Sequence, residues 1–290
     1  MKVLRDPAEL SDAREEARRN GITVGLVPTM GYLHEGHNSL LKAAREQCDR
    51  VVMSLFVNPT QFRPDEDLSF YPRDEQRDLA IARDAGVDLV YAPDPDDIYP
   101  SGFATEVTVN GLTEVLCGGR DSRGPGHFTG VTTIVAKLLN AVDPDFAYFG
   151  QKDAQQATVI SRMAEDLAFR TRIVILPTVR ERDGLAMSSR NAHLSEGARE
   201  RAAAIWKALL ETEAVYSDSG LEAGLAAGRT ELIRAGITPE YFEARFPGTL
   251  DPADEDSNEA ILVAVAAEVD GTRLIDNILI EPKKSKVSAK

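Results

Sequence analysis

The chain has little from which to build a disulfide framework and nothing with which to cross a membrane as a helix. Only two of its 290 residues are cysteine. Cys48 and Cys117 lie far apart and form no CxxC pair, so reduced thiols in a cytoplasmic protein are expected. No apolar run approaches the roughly 18 residues of a membrane span. The opening MKVLRDPAELSDAREEARRN has no apolar core and is acidic by Asp6, so no targeting segment is expected there. Basic charge is also short. Lys and Arg number 33 against 47 Asp and Glu, a net charge of −14. Nucleic acid and an anionic membrane surface are therefore poor partners, because both need a basic face. A small phosphate ligand is not excluded, since a few local cations and backbone N–H groups suffice to hold one. There is no internal repeat, no low-complexity segment, no GxGxxG and no GxxxxGK[ST]. A standard dinucleotide fold and a P-loop both fall away.

What is present is ordinary globular material, 43% hydrophobic and 28% charged. The length suits one large domain and a smaller one. Apolar runs at 22–28, 50–57, 87–92, 146–149 and 172–176 read as strands. Helical patterns at 36–48, 74–85, 129–142 and 153–168 alternate with them. Near-continuous apolar strands separated by helices predict an α/β fold with a parallel sheet covered on both faces, a doubly wound, Rossmann-like layer. After about residue 177 the pattern changes. A loop leads to a helix from Glu196 to about Val215, with Ser195 as N-cap. A second helix follows at 221–235, then two strands at 260–269 and 273–280 joined by a turn at Asp270-Gly271. The expected organisation is a Rossmann-like domain at 1–177 and a smaller α+β domain at 178–290. The stretch from Asp251 to Glu259 reads as a solvated acidic loop, and the KKSKVSAK tail as disordered.

Five segments carry candidate chemistry. In PTMGYLHEGHNSLL, starting at Pro28, the first strand ends and a helix begins, where ligands of open parallel sheets bind. Gly31 and Gly36 allow close backbone approach, and the helix start suits an anion. His34 and His37 could donate to phosphate, serve as structural residues, or bind metal, although no third ligand is evident. In SLFVNPTQF, Asn58 and Gln61 follow a strand and suit a small polar substrate, with turn chemistry as the competing reading for Asn58. GGRDSRGPGHFTG reads as a mobile loop or lid, in which Arg120, Arg123 and His127 are equally well ordinary loop residues. In FAYFGQKDAQQ, Lys152 sits near a helix start and Asp153 and Gln156 share a side. The competing reading makes Asp153 an N-cap and Lys152 a surface residue. In VRERDGLAMSSRN, Ser188, Ser189 and Arg190 offer a phosphate grip at the expected domain boundary.

Together, in this order and spacing, PTMGYLHEGH, SLFVNPTQF, FGQKDAQQ and VRERDGLAMSSRN resemble the pantoate–β-alanine ligase family, over about residues 1–282. HEGH corresponds to the HIGH signature of the nucleotidyltransferase superfamily, and MSSR to its KMSKS-type loop. The resemblance implies that pantoate and ATP form pantoyl adenylate and pyrophosphate, after which β-alanine gives pantothenate and AMP. It implies an ATP site at Met30, Gly31, Tyr32, Leu33, His34, Glu35, Gly36 and His37, at Gly150, Gln151, Lys152 and Asp153, and at Val179, Met187, Ser188, Ser189 and Arg190. His34, His37, Lys152 and Arg190 would be the catalytic donors, and Gln61 and Gln156 would hold the substrates. Mg2+, a homodimer formed through the larger domain, and a second domain closing over the site are further implications. Asp78 matches an acidic position after YPR, but the metal ligands stay unassigned. The rival readings are an adenylyltransferase acting on a phosphate acceptor and a non-catalytic nucleotide sensor. The first would lack the second domain and the Gln61/Gln156 pair, and the second would not need His37, Lys152 and Arg190 together.

Overall fold

The computed structural model describes residues 1–62, 68, 71–119, 122–254 and 259–281. Arg120, part of the acidic loop and the basic tail lie outside them. The chain forms two compact units. The first is Met1–Val179 with Met187–Ser189, and the second is Arg180–Ala186 with the chain from Arg190 onward.

In the first unit β1 (Lys2–Leu4), α1 (Pro7–Asn20), β2 (Val24–Thr29), α2 (Glu35–Gln47), β3 (Arg50–Leu55), α3 (Glu75–Asp84) and β4 (Leu89–Tyr91) follow in turn. Then come α4 (Pro95–Ile98), α5 (Pro125–Val142), β5 (Phe146–Gly150), α6 (Ala154–Asp166) and β6 (Arg172–Leu176). The six strands form one parallel sheet in the order β1-β4-β3-β2-β5-β6. Successive strands run outward from β2 to β4 on one side and from β5 to β6 on the other. The switch point therefore falls between β2 and β5, where open α/β sheets bind ligands beyond the strand ends.

The expected parallel, doubly wound sheet is thus found, and burial explains why it was legible. The middle of β3 and nearly all of β2 are buried on both faces. On one face Leu40, Leu41 and Ala44 of α2 and Ala82 of α3 pack on Val27, Val51, Met53 and Val90. On the other, Leu10, Ala13 and Ala17 of α1 approach Val24, Val52 and Val142. Three elements were not anticipated, the short β1 and α4 and the 14-residue α1. The helix expected near residue 129 starts earlier, with Pro125 in its first turn, the position that tolerates a missing N–H.

The second unit holds α7 (Glu196–Ala202), α8 (Ala204–Ser219) and α9 (Leu221–Arg234) with β7 (Pro239–Arg245), β8 (Ile261–Val269) and β9 (Thr272–Ile280). The strands form an antiparallel sheet, β7-β8-β9. The single helix expected from Glu196 to Val215 is two, broken at Ala203, although Ser195 caps it as expected by accepting the Ala198 N–H. The third strand, β7, was missed. Arg180 anchors the 180–186 hairpin here. Its guanidinium bonds both oxygens of buried Asp276 at 2.6 and 3.0 Å and stacks 3.4 Å from the centre of the Trp206 ring. Both cysteines are buried and neither is in a disulfide. Among the described residues no helix is long and apolar enough to cross a membrane.

Candidate active site

The loop from β2 to α2 ends in a helix cap made of two histidines. His34 is the N-cap, and its Nδ1 accepts the Gly36 N–H at 3.1 Å. His37, three residues on, returns the bond, its Nδ1 accepting the His34 N–H at 3.3 Å. This is a capping box in which imidazoles replace the usual hydroxyl and carboxylate. A nitrogen that accepts a backbone N–H carries no proton, so each neutral ring holds its proton on Nε2. The rings lie 4.1 Å apart between centroids. The His37 pKa is pushed down to about 3, first by burial, then by His34, with Asp153 opposing and Lys152 reinforcing. Lys152 and Asp153, at the start of the β5–α6 segment, thus lie close enough to His37 to act on its charge.

Around this cap the loop is held from outside. Asp78 of α3, 1% exposed, accepts the Tyr32 and Leu33 N–H groups, each at 2.7 Å. Burial pushes its carboxyl pKa up, and the two amide bonds and Arg77 oppose the shift. Glu35 is exposed and accepts a bond from Asn38, so its side chain faces along the helix surface.

Beyond β3, Asn58 is 1% exposed and bonded on both ends of its amide. Its oxygen accepts from Tyr99 and Thr60, while its nitrogen donates to the Gly130 carbonyl at 3.1 Å and to Gln61 Oε1 at 3.0 Å. Because the Gln61 oxygen is engaged this way, its NH2 group is the end left to meet a ligand oxygen. His127 Nδ1 lies 2.8 Å from the Gln61 carbonyl, to which it donates. Beyond β5, Lys152 is 15% exposed in its side chain and lies 3.5 Å from Asp153. Asp153 makes no capping bond to α6, and a 3-10 turn at Gln151–Asp153 precedes that helix. Next to half-buried Gln156, Gln155 is buried and staples the Leu112–Cys117 loop through the carbonyls of Leu112 and Val115 and the N–H of Cys117. Met187 N–H bonds the Val179 carbonyl at 3.0 Å, and the Met187 Cβ is about 4.0 Å from where a Gly36 Cβ would stand. The MSSR stretch thus reaches the HEGH helix start through Met187.

A profile of the pantoate–β-alanine ligase family matches residues 2–279. The chain belongs to that family. It is 49% identical to the pantothenate synthetase of Moorella thermoacetica, over 97% of this chain and 99% of that one. It is also 49% identical to that of Dinoroseobacter shibae, over 96% and 99%. The crystal structure of pantothenate synthetase from Thermus thermophilus superposes with a TM-score of 0.90 at 44% identity, over 97% and 100% of the two chains. The pantoate–β-alanine ligase of Francisella tularensis, solved in complex with β,γ ATP and β-alanine, gives 0.80 at 32% identity, over 96% and 97%.

As a member of the ligase family the chain is an ATP-dependent enzyme joining pantoate to β-alanine. Most residues singled out in the sequence, Met30 to His37, Gln61, Gly150 to Asp153 and Gln156, stand at the carboxyl ends of β2, β3 and β5. Arg190 belongs to the second compact unit and lies in a 3-10 turn, Ser189–His193. Three readings fare poorly. Lys152 is not a surface residue, Asp153 stands at the N-cap position of α6 but its side chain makes no capping bond, and no cluster of three His, Cys, Asp or Glu suited to a metal occurs among the described residues. The turn reading of Asn58 was half right: it shapes the turn, and through it the Gln61 amide. Sequence reasoning missed Gln155, and gave Asp78 only as an acid near a possible metal. Nothing in the order of residues pairs Asp78 with Tyr32 and Leu33, 46 and 45 positions away.

Proposed function

We propose that the cluster at the β2, β3 and β5 ends forms pantoyl adenylate from pantoate and ATP and then passes the pantoyl group to β-alanine. In the first step a pantoate carboxylate oxygen bonds the α-phosphorus and the bond to pyrophosphate breaks. In the second the β-alanine amine bonds the acyl carbon, AMP leaves with the electron pair of the C–O bond, and the amine gives up a proton. No covalent bond to the enzyme is needed. Much of the rate comes from holding carboxylate and phosphorus in line. The observation that carries this reading is the reciprocal His34–His37 cap. In it both Nδ1 atoms accept backbone N–H groups, so Nε2 is the nitrogen of each ring that can donate to charge growing on phosphate oxygens. Lys152 adds a cationic donor. The Gln61 NH2, oriented by Asn58, and Gln156 hold the hydroxyls and carboxylate of pantoate.

Mg2+ is the expected companion of ATP. This ion keeps most of its waters and binds chiefly through substrate phosphates, which fits a site with no three-acid cluster among the described residues. Bound there, it would neutralise the departing pyrophosphate. A cytoplasmic setting fits two buried cysteines that form no disulfide. A homodimer fits the edge strand β6, where Ile173, Val174 and Ile175 are partly or well exposed.

The test is ATP–pyrophosphate exchange. Label should pass from pyrophosphate into ATP when pantoate is present and β-alanine is absent. No pantoate-dependent exchange would sink the reading, and exchange driven by a phosphate acceptor instead would favour the adenylyltransferase alternative.

A further inference from the structure

We propose that Asp78 is a positioning residue of the adenylation site: its carboxylate pins the Gly31–Leu33 loop and so sets the aim of the His34–His37 pair. The functional half of this inference rests on the ligase reading above, and the structural half stands without it.

The loop has an unusual shape for its composition. Gly31 has φ +86 and Tyr32 φ +52, so two successive residues are left-handed, and the second has a side chain. That conformation is costly for tyrosine and persists only where surroundings enforce it. Asp78 supplies the enforcement. Its Oδ2 takes the Tyr32 N–H and its Oδ1 the Leu33 N–H, both at 2.7 Å, the short length of charge-assisted bonds. The approach is close enough that a Cβ on Gly31 would stand 2.9 Å from Asp78 Oδ2 and 2.8 Å from Leu55 Cδ1. Leu33 is fully buried in the core beside Leu41 and Val27, a second anchor one residue before the cap. His34 follows directly. The path from the carboxylate to the imidazole cap is therefore two residues of backbone with no slack.

Charge supports the same role. A buried carboxylate near a phosphate site would repel the nucleotide unless its charge were engaged. Here two amides engage it, and the Arg77 guanidinium lies 3.9 Å away while also covering the Tyr32 ring at 5.2 Å. Asp78 comes from α3, which also meets the loop through Arg77. Without it Tyr32 is free to leave the left-handed region, and the imidazoles lose their fixed direction. Displacing catalytic donors by about an ångström costs on the order of 10²-fold in rate.

The experiment is Asp78→Asn in the full chain. The amide keeps the shape and one acceptor but turns an NH2 toward a backbone N–H. The adenylation kcat, read by pantoate-dependent exchange, should fall about 10²-fold, while the KM for pantoate stays at its wild-type value and melting stays a single cooperative transition at a lowered midpoint. Long-range 1H–15N spectra should show the His37 Nδ1 leaving its accepting pattern. A folded variant with wild-type kcat overturns the proposal. So does a loss that extra Mg2+ restores, which would make Asp78 a metal ligand. If the variant does not fold, amide hydrogen exchange in the wild type decides: slow exchange at Tyr32 and Leu33, as slow as in β2, supports the latch, and fast exchange overturns it. Absence of exchange activity in the wild type would sink the ligase reading, and the amide data would still judge the latch.

Discussion

A histidine near a phosphate is usually read as a cation or an acid. Here the backbone forbids that role for His37. Its Nδ1 accepts the His34 N–H, and protonating it would break the cap that starts α2. Burial acts in the same direction and holds the pKa at about 3, far below the ordinary histidine value near 6.5. The linkage has a definite sign. In the unfolded chain the ring takes its proton near pH 6.5, whereas in the fold it resists until about pH 3. The stabilisation is complete above pH 6.5 and is lost steadily as pH falls toward 3. Long-range 1H–15N spectra between pH 8 and 5 should therefore show His37 as a neutral Nε2–H tautomer throughout, and its titration should not set the acidic limb of the adenylation rate. A His37 midpoint near 6.5 would contradict the cap geometry. None of this was legible from HEGH. The spacing allowed phosphate contact, metal binding and packing alike, and only the direction of each Nδ1 separates them.

Between elements, the site depends on close backbone approach. α5 crosses the turn after β3 at Gly130, where a Cβ would stand 2.4 Å from the Thr60 carbonyl oxygen and 2.7 Å from its carbon. Those atoms are backbone and cannot rotate aside. The same turn carries Asn58, which bonds the Gly130 carbonyl and the Gln61 amide. Gly130→Ala should then push the turn outward, raise the KM for pantoate more than that for ATP, and destabilise the fold by about 1–3 kcal/mol, the range for overpacking. Steady-state kinetics with each substrate varied, alongside urea unfolding, would check both parts. An unchanged pantoate KM would mean the Gln61 amide does not read that substrate. The elements themselves were legible in proportion to their apolar continuity. β2 and β3 announce themselves as runs of buried residues. β7 does not, because PEYFEAR alternates charged and apolar residues and only Phe242 and Ala244 are buried. The break at Ala203 left no mark in the sequence either, since alanine suits a helix interior.

At the scale of the whole molecule, alternating strands and helices were enough to imply a parallel sheet, because a parallel pair needs a crossover and crossovers have one hand. The strand order then places the switch point between β2 and β5 and gathers loops far apart in sequence. What pattern reading could not supply is which edge of the sheet is left open. β6 pairs with β5 and, among the described residues, with nothing on its far side. It presents Ile175 at 41% exposure, with Ile173 and Val174 partly exposed beside it. A bare apolar edge is an aggregation hazard unless it is covered, and a second copy related by a twofold axis covers it most economically. Ile175→Lys tests this. A twofold interface meets each substitution twice, and each isoleucine loses about 2 kcal/mol of burial. The dimer should weaken by about 4 kcal/mol, nearly 10³-fold in Kd. Sedimentation equilibrium at micromolar concentration should show a wild-type dimer and a folded, monomeric variant. A wild-type monomer, or a variant that stays dimeric, would mean that β6 is not the contact and that the chain protects this edge in another way.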